Sequence, residues 1–82
     1  MTASAQIAIY PLRQDRLTPA VNAVQAALAA SGLRTEPGPM STMVVGDGDA
    51  IFAALARAFA EASALGHVVM TITVSNACPV PD

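Results

Sequence analysis

Leu33-Arg34-Thr35-Glu36-Pro37-Gly38-Pro39-Met40-Ser41-Thr42-Met43-Val44-Val45 holds two short strand patterns about one turn. Leu33 to Glu36 reads as the first strand, Pro37-Gly38 as the turn, and Met40 to Val45 as the second strand. Proline fixes φ and glycine accepts the conformations that a reversal needs. A helix pattern lies on each side of this pair. Upstream, Thr18 can cap a helix and Pro19 suits its first position. Val21, Val24 and Leu28 then form an apolar stripe, and Ser31-Gly32 stops it. Downstream, Gly46-Asp47-Gly48-Asp49 closes the strand, and Asp47 or Asp49 can cap the next helix. That helix carries Ile51, Phe52, Leu55, Phe59 and Ala62 at helical spacing, with Arg57 and Glu61 opposite. Phe52 and Phe59 read as core. Gly66 ends the helix. A strand over Ala5 to Leu12 opens the chain, and one over His67 to Ser75 closes it.

Strand, helix, strand, strand, helix, strand is the split βαβ pattern. The fold class is α+β: a ferredoxin-like βαββαβ sandwich with two helices on one face of a four-stranded antiparallel sheet. Residues 1–82 make one such domain. The expected sheet order is fourth, first, third, second, with the first and third strands taken as parallel. Met40, Ser41 and Thr42 then start level with Ala5 and Gln6. Ser75 and Asn76 come to the same edge with Gln6 between, while Tyr10, Gly46 and His67 gather at the other. Val68, Met70, Ile72 and Val74 should pack on the helices. Gln6, Ala8, Tyr10, Thr42, Val44, Val69, Thr71 and Thr73 should share the open face. None of these eight is charged, so another subunit, a ligand, or both should cover that face.

Hydrophobic residues are 54% of the chain and charged residues 12%, which excludes a disordered protein. So apolar a chain of this size has more apolar surface than one small domain buries, which points to self-association. Four arginines, no lysine and six acids leave a net charge of −2 and no basic patch for nucleic acid. Met1 to Leu12 lacks the pattern of a signal peptide. The apolar stretch from Ala50 to Leu65 is interrupted by Arg57 and Glu61 and is too short to span a bilayer. The single Cys78 cannot form an intrachain disulfide and suits a reducing compartment. A cytoplasmic protein with no membrane insertion is expected.

Two segments carry chemistry. Met40-Ser41-Thr42 offers two hydroxyls beside a soft apolar side chain; equally, Thr suits a strand and Ser a turn. Ser75-Asn76-Ala77-Cys78-Pro79 offers a hydroxyl, an amide and a thiol, or is a polar tail. No cation lies near Cys78 in sequence to activate it as a nucleophile, so a pocket or structural thiol is favoured. One His and one Cys give no metal-ligand spacing, and Asp47 and Asp49 are too few for calcium. Tyr10 suits stacking on a ligand or packing in an interface, the latter preferred. The chain lacks the Cys-x-x-Cys of a metallochaperone, the phosphate loop of an acylphosphatase, and the basic, aromatic sheet of an RNA-recognition domain.

Ile9-Tyr10-Pro11-Leu12, Gly38-Pro39-Met40-Ser41-Thr42, Gly46-Asp47 and Ser75-Asn76-Ala77-Cys78-Pro79, in that order, resemble the YkoF-like thiamine-binding family. The resemblance spans nearly the whole chain. It implies a ferredoxin-like domain that binds thiamine or its hydroxymethylpyrimidine part without catalysing a reaction, with no other cofactor. It implies a homodimer or dimer of dimers in place of the tandem domains of some members. It also implies a role in thiamine precursor uptake or salvage beside a membrane transporter. Ser41, Thr42, Ser75 and Asn76 would orient the pyrimidine, with Gln6, Met40 and Cys78 lining the site. The competing reading is a structural or regulatory module whose open sheet face only makes an oligomer.

Overall fold

A computed structural model describes residues 1–12, 18–38 and 41–77. Its elements are β1 (Thr2–Leu12), α1 (Thr18–Ala30), β2 (Arg34–Pro37), β3 (Thr42–Asp47), α2 (Gly48–Ser63) and β4 (His67–Ser75). Gly32, at φ 80°, takes the left-handed conformation that turns the chain from α1 into β2. Asp47 has extended backbone and caps α2, its carboxylate accepting from the Asp49 N–H. The four strands form one sheet in the order β2-β3-β1-β4, with every neighbouring pair antiparallel. This is the expected ferredoxin-like α+β fold.

The direction of β3 corrects one expectation. β1 and β3 are antiparallel, not parallel. The reason is topological. α1 carries the chain back, so β2 runs with β1, and the turn after β2 reverses β3. The register is Thr2 opposite Asp47 through Ile7 opposite Thr42. Gly46 therefore lies opposite Ala3, far from Tyr10 and His67, which sit at the other end of the sheet opposite Val69 and Leu12.

Register also fixes the faces, because side chains alternate along a strand. Thr42 lies opposite Ile7 and Val44 opposite Ala5, so both belong to the helix face, where they are buried. The expectation that they lie on the open face is wrong by one residue, the slip that exchanges the two faces. Met43 takes the open face instead, opposite Gln6. That face also carries charge at one edge: Arg34 and Glu36 are bonded at 3.0 Å.

The core joins Ala3, Ala5, Ile7 and Val44 of the sheet to Val24, Ala27 and Leu28 of α1 and Ile51, Ala54, Leu55, Ala58 and Ala62 of α2. Val68, Met70 and Val74 of β4 pack against it as expected. Phe52 and Phe59 do not: they are 58% and 47% exposed. The buried face of α2 runs through Ala54 and Ala58, where small side chains let the helix close on its neighbours. The phenylalanines are displaced to its flank.

Candidate functional site

β1 outruns β3. β3 supplies partners only as far as Ile7, whereas β4 continues opposite β1 to Leu12. The β2–β3 turn closes just there, with the Gly38 N–H donating to the Ser41 carbonyl at 2.8 Å. Among the described residues, this leaves a notch beside Ala8, Ile9 and Tyr10 of β1. Two cavities open on it. One, of about 140 Å³, lies on the helix side, lined by Ile7, Ile9, Val21, Gln25 and Thr42 among others. The second, of about 260 Å³, lies on the open face, lined by Gln6, Tyr10, Thr71 and Thr73. Ala8 and Ser41 line both.

Gln6 and Ser41 are brought together: the Gln6 Nε2 donates to the Ser41 Oγ at 3.0 Å. Thr42 adjoins Ser41 and points to the helix face, so it lines the helix-side cavity, whereas Ser41 lines both. Ser75 and Asn76 are not at this end. Ser75 lies opposite Ser4, three residues along β1 from Ile7, or roughly 10 Å. Ser75 still shares the open face with Gln6, one side-chain row away. Asn76 lies past the sheet, its Nδ2 3.4 Å from the Met1 Sδ. The expected single cluster is therefore divided, because antiparallel β3 starts where β4 is midway. Met40 and Cys78 lie outside the described residues.

Sequence reasoning missed Gln25, which joins the site from α1 one turn after Val21. It placed Tyr10, Thr71 and Thr73 on the correct face without assigning them to the site. The signal for the two threonines was the hydroxyl on every second residue from Thr71 to Ser75 of β4. Among the described residues no group of three or more His, Cys, Asp or Glu is placed to hold a metal ion. Asp47 is occupied structurally. The Met1 ammonium donates to its Oδ1 at 3.1 Å, and that bond, then the ammonium's charge, lowers its pKa below the ordinary 3.8. Its surroundings serve a cap, not catalysis.

The sequence model of the thiamine-binding protein family matches residues 5–77. This chain belongs to that family. The thiamine-binding family match takes in β1 from Ala5, both helices, and β2, β3 and β4 entire, so notch and cavities lie inside it. No curated protein matches. Solved structures share the fold. A Streptococcus pneumoniae protein superposes with a TM-score of 0.86 at 22% identity, over 92% of this chain and 86% of its own. A Methanocaldococcus jannascii hypothetical protein gives 0.86 at 21% identity, over 98% and 84%. A Thermotoga maritima protein, titled as a candidate for thiamine biosynthesis or salvage, gives 0.82 at 18% identity, over 90% and 82%. At these identities the likeness establishes the fold. The family match carries the link to thiamine. No helix among the described residues is long and apolar enough to cross a membrane.

Proposed function

We propose that this protein binds thiamine or its hydroxymethylpyrimidine part at the notch between β1 and the β2–β3 turn, and releases it unchanged. The observation that carries the reading is the Gln6–Ser41 pair, set where two cavities meet in a thiamine-binding family chain. An aminopyrimidine presents one amino donor and two ring acceptors. Gln6, Ser41, Thr42 and Gln25 offer both donors and acceptors. Tyr10 stands at the mouth as the one aromatic wall. Ser75 extends the polar row of the open face. A mildly acidic, lysine-free chain does not repel the cationic thiazolium of thiamine. Such a site holds cargo and needs no catalytic group or further cofactor. The role we assign is uptake or salvage of the thiamine precursor in the cytoplasm, with a membrane transporter as the partner that family resemblance implies.

Titration calorimetry with thiamine and with hydroxymethylpyrimidine tests this directly. Saturable heat is expected from at least one; none from either at high protein concentration sinks the reading. Ser41→Ala is expected to weaken binding about three- to tenfold, the worth of one hydrogen bond, while the thermal transition of the free protein stays in place.

Self-association has its own support. β4 is an edge strand, and its sequence His67-Val68-Val69-Met70-Thr71-Ile72-Thr73-Val74-Ser75 has no Pro, Lys or acid to discourage pairing. Beside it Phe52, Ala56 and Phe59 of α2 meet Met70 and Ile72 around an apolar groove of about 410 Å³. A two-fold axis beside β4 would set this same patch of one copy against that of the other, as an isologous contact does. With roughly 200 Å² per aromatic side chain, the 58% and 47% exposed phenylalanines offer about 200 Å² per copy. With Ile72, Met70 and the strand edge added, two copies would cover on the order of 1,000 Å², about what a specific interface needs. A homodimer paired through β4 is the assembly we assign.

A further inference from the structure

The phase of the sheet ladder identifies which backbone groups of β4 face outward. In an antiparallel pair, one residue exchanges both its N–H and C=O with a given neighbour, and the next residue turns both to the other side. The Gly48 N–H donates to the Met1 carbonyl at 2.8 Å, one step beyond the Thr2–Asp47 pair. Met1 and, at the two-residue period, Ala3, Ala5 and Ile7 therefore turn toward β3. Gln6, Ala8 and Tyr10 turn toward β4, where they meet Thr73, Thr71 and Val69. Pro11 falls in the phase that turns away from β4, so its missing N–H costs that ladder nothing. Val68, Met70, Ile72 and Val74 consequently aim their N–H and C=O away from β1, at the outer side of β4. Val69, Thr71 and Thr73 are exposed on the open face, and Ile72 is 41% exposed on the other.

A strand that pairs antiparallel with a copy of itself about a two-fold axis sets outward residues opposite outward residues, so the axis passes through one residue. For β4, an axis at Thr71 pairs all 9 residues. Met70 then exchanges both bonds with the partner's Ile72, and Val68 with the partner's Val74. Thr71 meets the partner's Thr71 as a non-hydrogen-bonded pair, with Cα atoms about 4.5 Å apart, and threonines so placed stabilise a sheet. An axis one residue either way leaves strand ends unpaired. The axis at Thr71 also lies beside the Phe52–Phe59 groove, which Met70 and Ile72 line.

We infer that β4 pairs with a second copy of this chain about a two-fold axis at Thr71, and that thiamine lies across the seam, one molecule per dimer. This rests on the readings that the chain binds thiamine or its pyrimidine part and pairs through β4. Gln6 and Tyr10 bound the open-face cavity along β1, Ser41 bounds it toward β3, and the short Thr71 and Thr73 bound it toward β4. Across the axis, the partner's Thr71 continues the row of Ala8 and Thr71, and the partner's Val69 continues the row of Gln6 and Thr73. The two cavities thus become one trough. The partner's Thr71 is two strand spacings from Ala8, roughly 10 Å, beyond one ring but within reach of two linked rings laid along that row. Two thiamines laid this way would collide over the axis. Two hydroxymethylpyrimidines, each over its own Ala8, would not.

Disulfide trapping on a Cys78→Ser chain tests the register. Thr71→Cys is expected to link to its own copy under mild oxidation, since that Cα separation suits a disulfide. Val69→Cys alone and Thr73→Cys alone are expected not to link, each being roughly 13 Å from its own copy, whereas a mixture of those two chains links. Thr71→Cys linking to Val69→Cys or to Thr73→Cys but not to itself moves the axis and overturns the inference. Titration calorimetry reads the shared site: one thiamine per two chains is expected, against one hydroxymethylpyrimidine per chain. A monomeric Ile72→Lys chain is expected to bind thiamine about tenfold more weakly, the worth of one hydrogen bond, although Ile72 lines the helix-side groove and not the open cavity. One thiamine per chain, held equally well by the Ile72→Lys chain, overturns the inference and leaves the binding reading standing. A parent chain that is monomeric at every concentration overturns it together with the dimer, and no heat from either compound overturns it together with the binding reading.

Discussion

Asp47 joins three parts of the molecule through one carboxylate: it ends β3, caps α2 and accepts the Met1 ammonium. Its lowered pKa has a definite consequence for acid stability. A group whose folded pKa lies below its unfolded value adds stability that is full above the unfolded value, here 3.8, and is lost as pH falls below it. Carboxyl NMR titration should therefore find Asp47 below the ordinary aspartate value of 3.8. Asp47→Ala should lower the thermal midpoint at neutral pH, and that difference from the parent should shrink on acidification below the ordinary aspartate range. An equal difference at every pH would mean that the carboxylate charge is not what matters. The sequence named Asp47 as a possible cap, since a carboxylate between glycines before an apolar stripe has few other uses. It did not show the ammonium partner, which is 46 residues away and meets Asp47 only across the β1–β3 ladder.

Elements were legible where local chemistry sets them. The strand His67–Ser75 was read to its ends, Thr18 marked a helix start, Gly32 a turn and Asp47 a cap. Pairing was harder. The α1 crossover and the turn after β2 already imply an antiparallel β3, which the parallel reading overlooks, and the face of Thr42 and Val44 depends on register, which no local pattern gives. The same error gathered Ser75 and Asn76 with Thr42, although Ser75 sits opposite Ser4. The α2 stripe held at Ile51, Leu55 and Ala62 and failed at its phenylalanines for another reason: a hydrophobicity pattern prefers Phe52 and Phe59 to Ala54 and Ala58, whereas close packing prefers the alanines. The fit between β3 and the β2 entry gives a test at this scale. A Cβ on Gly46 would run into the Leu33 side chain, which packs against the core. Gly46→Ala should cost about 1–3 kcal/mol, the usual range for overpacking, measured by denaturant unfolding. Leu33→Ala combined with it should return part of that loss; if it does not, the clash is not the cause.

At the scale of the whole molecule, Phe52 and Phe59 of α2 and Ile72 of β4 form one exposed apolar strip beside the β4 edge. Phe59→Lys or Ile72→Lys should turn a dimer into a monomer in sedimentation equilibrium, while Val69→Lys on the open face should leave the dimer intact. If Val69→Lys dissociates it and the others do not, the open face is the interface, as sequence alone had suggested.

The two edges of the sheet are unequal, and that bears on the valency of the proposed assembly. The β2 edge is four residues long, carries the Arg34–Glu36 ion pair and ends in Pro37, all features that resist strand addition. Among the described strands, β4 is the edge without such features. In the dimer proposed above, a two-fold contact through β4 would use that edge in each copy and give a sheet of eight strands with a guarded edge at either end.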